Sequence, residues 1–165
     1  MIFNKEKKGI SLSCEEVIAL YSDTVYKVAL STMKNESDSQ DIYQEVFLRY
    51  VKNKKAFESE EHLKAWFIRV TLNCCNTMFT QKHKKDGMPL EIDIPVETDE
   101  EKGIIYLVNE LDENYRIAIH LFYYEQYSIK EIANLLNESE GAIKTRLSRA
   151  RVILKQRWEE EGYAR

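Results

Sequence analysis

Two short apolar stripes joined at one asparagine constrain this chain more than any other feature. They lie in Tyr127 to Arg157, YSIKEIANLLNESEGAIKTRLSRARVILKQR. Ile132, Leu135 and Leu136 share one helix face. Ile143, Leu147, Ala150 and Leu154 recur at spacings of four, three and four, which predicts a second buried stripe. Ser128 is placed to cap the first helix, with Glu131 completing a capping box. Ala133 is small where a second helix must approach, and Asn137 stands where the backbone must turn left-handed. Ser139 caps the second helix. Such a pair of helices reads as a tight helix-turn-helix.

Charge gives the second helix a use. Lys144, Arg146, Arg149, Arg151, Lys155 and Arg157 all lie off its apolar stripe, and the one acid between Ser139 and Arg157 is Glu140. A solvated amphipathic helix can carry as many charges. Two caps, a small contact residue, a turn residue and one-sided positive charge together point instead to a helix that enters a DNA major groove.

The whole chain carries a net charge of −4, which excludes a general nucleic-acid binder. Its distribution is uneven: residues 1–85 are net +3, residues 86–114 net −9 and residues 115–165 net +2. Asp86 to Lys102, DGMPLEIDIPVETDEEK, holds both prolines and has no helical period, so it reads as a flexible acidic linker. The predicted fold is all-α: a helical domain over 1–85, the linker over 86–102, and a helix-turn-helix domain over 103–165. With 5 Gly and 2 Pro in 165 residues, long helices are favoured over turn-rich sheets. No apolar run reaches membrane-spanning length and MIFNKEKKGISLS has no signal-peptide segment, so no membrane insertion and a cytoplasmic location are expected. Cys14, Cys74 and Cys75 with three scattered histidines make no metal pattern, and are expected to be buried or partly buried thiols. No cofactor is expected.

Helical spacing predicts three N-terminal helices, over Cys14–Lys34, Asp38–Lys52 and His62–Thr80. Asp38 reads as the cap of the second, with Ile42, Val46, Phe47, Tyr50 and Val51 on its apolar side. Asp41, Gln44 and Glu45 share a polar surface of that helix, suited to a partner rich in arginine. In the third, Trp66 and Phe67 match the apolar stripe and read as core. Its basic end, Lys82, His83, Lys84 and Lys85, suits single-stranded nucleic acid when combined with aromatics. A catalytic role has little to stand on: only Arg49 and Arg69 provide arginine in the N-terminal block, so the clustered arginines of a recombinase site are missing and no catalytic residue is named.

Taken in order, SDSQDIYQEVFLRYV, AFESEEHLKAWFIRVTLNCCNTMFTQKHKK and YRIAIHLFYYEQYSIKEIANLLNESEGAIKTRLSRARVILK resemble three segments of bacterial RNA polymerase sigma factors of the compact extracytoplasmic-function type. The likeness spans roughly residues 13 to 158. It implies two helical domains that bind core RNA polymerase and direct promoter-specific transcription initiation. By that resemblance Asp41, Gln44 and Glu45 contact the β′ clamp helices, with Phe47 packed beneath. Lys144, Thr145, Ser148 and Arg149 grip the minus-35 element, with Arg146 and Arg151 on phosphates. Asn73 and Arg69 face the opened minus-10 strand, together with Lys82, Lys84 and Lys85, and the linker runs through the polymerase interior. An anti-sigma factor is a further partner of this family. The loop Phe57–Glu61 departs from the family pattern, lacking its glycine and basic residue. The alternative reading is a dimeric helix-turn-helix transcriptional regulator with an N-terminal sensing or interaction domain, which predicts a palindromic site.

Overall fold

The computed structural model describes residues 9–53, 56–83 and 99–163. Among them every regular element is helical.

Helix α1 (Cys14–Met33) opens on Ser13. The Ser13 hydroxyl accepts from the Glu16 amide at 3.1 Å, and the Ser13 amide donates to the Glu16 carboxylate at 2.8 Å. The helix ends at Lys34, left-handed with φ 55°. Helix α2 (Glu36–Lys52) starts on Asn35, whose side-chain oxygen accepts from the Asp38 amide at 2.9 Å. The expected cap, Asp38, therefore lies inside the first turn. It is buried there, and its carboxylate pairs with Lys82. Asparagine caps as well as aspartate does, and the earlier of the two starts the helix.

With α3 (Glu60–His83), α1 and α2 enclose the first core. Phe67 is fully buried at its centre. The rings of Tyr21, Phe47, Tyr50 and Trp66 stand 5.1, 5.2, 5.3 and 5.2 Å from it. Such ring pairs each add about 0.5–1.5 kcal/mol beyond area burial. Trp66 and Phe67 are thus core residues. Val51, expected on the apolar side of α2, is instead 65% exposed, because it follows Tyr50 around the helix towards solvent. Cys74 and Cys75 are buried, whereas Cys14 is exposed at the start of α1. Burial pushes the Cys75 thiol up to about 12, which keeps it protonated.

The second half comprises α4 (Asp99–Asn109), α5 (Glu113–Ile119), a π-helical turn (His120–Tyr124), α6 (Ile129–Leu136) and α7 (Glu140–Glu160). Helix α4 takes in the last four residues of the segment read as linker; residues 86–98 lie outside the described ones. Acidic residues suit a helix start, where the macrodipole is positive. Arg116 to Tyr124, read as one helix, widens into the π-helical turn at His120. Tyr163, beyond the end of α7, covers Gly103 of α4 so closely that a Cβ there would lie 3.0 Å from its ring.

The second core contains Leu111, Ile117, Ile119, Leu121, Ile132, Leu135, Ile143, Leu147 and Ala150. Leu154, the last member of the predicted stripe, is only half-buried. Val28 of α1 and Ile68 and Leu72 of α3 belong to this core too. The two halves therefore share an interface along the α1/α3 face turned away from Phe67.

Candidate nucleic-acid interface

The helix-turn-helix forms as its residues dictate. The Ser128 hydroxyl accepts from the Glu131 amide at 3.3 Å, and the Ser128 amide donates to the Glu131 carboxylate at 2.8 Å. The Ser128 hydroxyl also donates to the Glu131 carboxylate at 2.6 Å, and that bond first and the Ser128 amide second hold the Glu131 carboxyl below its usual range. Asn137 is left-handed at φ 55° and closes α6. The Ser139 hydroxyl accepts from the Ala142 amide at 3.1 Å and starts α7. Ile143 and Leu147 are buried against α6, so the opposite face of α7 points outward.

Lys144, Thr145, Ser148 and Arg149 are all exposed on that outward face. They recur at helical spacing over one and a half turns. Neither Lys144 nor Arg149 has an ion-pair partner among the described residues. Thr145, Arg146 and Arg149 border a recess that Asp112, Asn114 and Tyr115 close from the α5 side. Arg146 and Arg151 are engaged by the protein. Arg146 is paired with Glu138 of the turn, and its side chain is 17% exposed. Arg151 donates to the Tyr123 hydroxyl at 2.8 Å, with its guanidinium 5.6 Å from the Phe122 ring centre and 5.7 Å from that of Tyr123. Glu138 and Tyr123 were not picked out from sequence. Their signal was weak: an acid in the turn, and a tyrosine in an apolar run.

The second group lies on α2. Asp41, Gln44 and Glu45 are exposed, and Phe47 is buried at 9% exposure against the rings of Tyr43 and Phe67. Asp41 and Glu45 edge a groove between α2 and α3 whose far wall is Thr77, Met78 and Gln81. Glu45 pairs with Arg49 at 2.6 Å, and Asp41 has no ion-pair partner among the described residues. Leu48 and Val51, 53% and 65% exposed, adjoin this acidic face. They make it amphipathic, a property that sequence reasoning missed by assigning Val51 to the core.

The third group lies on α3, and the structure divides it. Arg69, Asn73 and Asn76 form one exposed stripe. Lys82 follows Asn73 by nine residues, half a turn out of phase, so it points to the opposite side and pairs with Asp38 of α2. Lys84 and Lys85 lie outside the described residues. Across a groove from Arg69, Asn73 and Asn76 stand Asn134 to Asn137, the C-terminal end of α6.

Comparison with known proteins agrees with this layout. Residues 17–85 match Sigma-70 region 2, and residues 102–154 match Sigma-70, region 4. The chain is 28% identical over 155 residues to the ECF RNA polymerase sigma factor SigM of Bacillus subtilis, covering 87% of this chain and 94% of that one. It is 24% identical to SigW of the same organism, covering 91% of each. The fold is that of the sigma factor RpoE of Bartonella quintana, solved with the anti-sigma factor NepR, with a TM-score of 0.75 at 21% identity over 86% of this chain and 94% of that one. Both regions occur in order on one chain, which disfavours the dimeric-regulator reading. The chain belongs to the sigma-70 family, as a sigma factor of the extracytoplasmic-function (ECF) type that directs transcription initiation by RNA polymerase.

Proposed function

We propose that this sigma factor works through three separate grips without chemistry of its own. The acidic face of α2, Asp41, Gln44 and Glu45 with Phe47 beneath, docks arginine-rich helices of the polymerase β′ subunit, and exposed Leu48 and Val51 extend that contact. The outward face of α7 reads the minus-35 duplex through Lys144, Thr145, Ser148 and Arg149. Arg146 and Arg151, already held by Glu138 and Tyr123, present their remaining N–H groups to phosphates. The α3 stripe of Arg69 and Asn73 takes the opened minus-10 strand, and Lys84 and Lys85 provide positive charge beyond it, whereas Lys82 is held by Asp38 on the other side of α3. Residues 1–85 and 103–165 act as two domains joined by 86–102, and the protein acts in the cytoplasm, where its polymerase is. An anti-sigma partner of the kind seen with the Bartonella protein is proposed for this chain as well.

The observation that carries this reading is the outward face of α7: four exposed residues with DNA-reading chemistry on a helix capped at its start and buried along its back. A net charge of −4 gives weak affinity for DNA alone, because affinity follows the number of phosphates neutralised. Core polymerase raises it by fixing the separation of two weak readers. Strand opening is driven by protein contacts that offset the few kcal/mol of unstacking each base. The test is transcription in vitro with core polymerase and mapped start sites. Arg149→Ala is expected to lower initiation about tenfold or more, as for loss of one base-reading pair worth about 1–3 kcal/mol, while polymerase binding is unchanged. Equal initiation by the variant would refute the assignment of α7.

A further inference from the structure

The two arginines beside the reading face of α7 are held in different ways. Arg146 is paired with the Glu138 carboxylate, so it can lend an N–H to a phosphate but little net charge. Arg151 has no carboxylate partner among the described residues. Its Nε–H goes to a neutral acceptor, the Tyr123 hydroxyl at 2.8 Å, and its guanidinium lies 5.6 and 5.7 Å from the ring centres of Phe122 and Tyr123. Rings and a hydroxyl fix a guanidinium without neutralising it. The N–H groups of both terminal nitrogens remain to be given, and the full positive charge sits on an exposed residue.

Helix geometry gives this charge a direction. Arg151 follows Lys144 by seven residues and Ser148 by three, so the three share one edge of α7, with Arg151 about 10 Å along the axis from Lys144. Arg146 precedes Arg149 by three and lies on the other edge. A helix about 10–12 Å across fills a major groove of about 12 Å, so its two edges meet the two phosphate walls. Tyr123 reaches Arg151 through the π-helical turn. In an unbroken α-helix it would stand over Ile119, four residues back, which is buried. In the wider turn over His120–Tyr124 it is 52% exposed and its hydroxyl meets α7. That hydroxyl accepts from Arg151 and keeps its own O–H, which has no acceptor among the described residues. Tyrosine hydroxyls are among the ordinary donors to DNA phosphates.

We infer that Tyr123 and Arg151 form a two-donor clamp for one DNA phosphate at the edge of the minus-35 duplex, in which Tyr123 orients the guanidinium and donates its own O–H to the same phosphate. The inference rests on the proposed seating of α7 in the minus-35 groove. The ligand is a phosphodiester, so the clamp adds affinity and fixes orientation without reading sequence. A carboxylate in place of Tyr123 would hold the arginine as firmly and cancel its charge. The neutral holder is what lets Arg151 count among the groups that neutralise phosphates.

The test uses the full-length chain bound to core polymerase and two fluorescein-labelled duplexes. One carries a promoter whose start site has been mapped with this sigma factor; the other is the same duplex with its minus-35 element scrambled. Affinity is measured across a salt series. Arg151→Ala is expected to weaken binding to both duplexes about tenfold and to reduce the slope of log affinity against log salt by about one. Tyr123→Phe keeps the ring and the charge of the arginine, and is expected to weaken both about threefold at an unchanged slope. Tyr123→Glu still holds the guanidinium, yet is expected to reduce the slope by about one, as Arg151→Ala does. A packing role for Tyr123 moves no slope. Parental slopes for Arg151→Ala and Tyr123→Glu overturn the clamp, and parental affinity for Tyr123→Phe overturns the share of the hydroxyl. Weakening confined to the unscrambled duplex would make the pair a base reader and overturns the clamp as well. Arg149→Ala is measured alongside and is expected to narrow the difference between the two duplexes. If it does not, the seating of α7 falls; if it does while the clamp variants match the parent, only the clamp falls.

Discussion

The two halves of this protein solve the same problem, burying a few short helices, in opposite ways. The N-terminal half is built on rings around Phe67, and its core draws every member from residues before α4. The C-terminal half is built on aliphatic side chains, starts α6 and α7 on serine caps, and takes Val28, Ile68 and Leu72 from the other half. One half is self-sufficient; the other completes its core on its neighbour. Separation therefore leaves the N-terminal half whole and exposes the underside of the C-terminal half. The C-terminal half then loses Val28, Ile68 and Leu72 from its core, whereas the N-terminal half keeps every member of its own.

The contrast can be broken most forcefully at the ring cluster. Phe67→Ala removes the shared partner of four rings, and a loss of about 3–5 kcal/mol is expected. In calorimetry the α1–α3 half should then melt first, with a separate α5–α7 transition that is also lowered because its core borrows Val28, Ile68 and Leu72. A single merged transition would show that the halves do not stand apart.

Acid probes the joint between them. Burial alone would raise the Glu125 carboxyl, but the His120 imidazole 3.6 Å away and the Lys64 ammonium at 2.9 Å outweigh it and hold the group at about 2 against an ordinary 4.5. The groups around it are Lys64 on α3, Thr24 on α1, and His120 and Tyr127 on its own half, with Tyr127 pushed up to about 12 by burial and then by Glu125 and Glu131. With the halves apart Glu125 takes up its proton near the ordinary value, and with them packed only near 2. Its stabilisation of the packing is thus complete above about pH 4.5 and is lost as pH falls towards 2. Scattering should show expansion in that window, on a contact scale of about 1.5–3 kcal/mol for hydrogen bonds to a charged group. Glu125→Gln should abolish this part of the pH dependence.

The smallest expected effect falls on the caps. Ser128→Ala should cost about 1 kcal/mol by releasing the Glu131 amide and carboxylate. Thermal melting should show the loss in the C-terminal transition alone. A shift of both transitions would mean that the halves unfold together and that the contrast drawn above is too sharp.

Much of the helix-turn-helix was legible before any coordinates. Ser128, Asn137 and Ser139 act through backbone groups three or four residues away, and Ile143 and Leu147 follow a period that any helix imposes. Such contacts are local, so residue type and spacing state them completely. Asp38 was misjudged for a related reason: two adequate caps stood three residues apart, and local preference does not choose between them. Val51 was misjudged because an apolar residue next to a helix stripe can face either way, and only its neighbours decide.

The sequence by itself determined that the chain is helical, where α6 begins and ends, where α7 begins and which residues of α7 face outward, because these depend on interactions within a few residues. Only the tertiary structure decided that Lys82 pairs with Asp38, that Arg116 spans helix ends from both halves, and that α6 faces Arg69 and Asn73. Those partners are separated by 44 to 85 residues or by a whole domain. Their meeting depends on how helices stack in space, which no local spacing records.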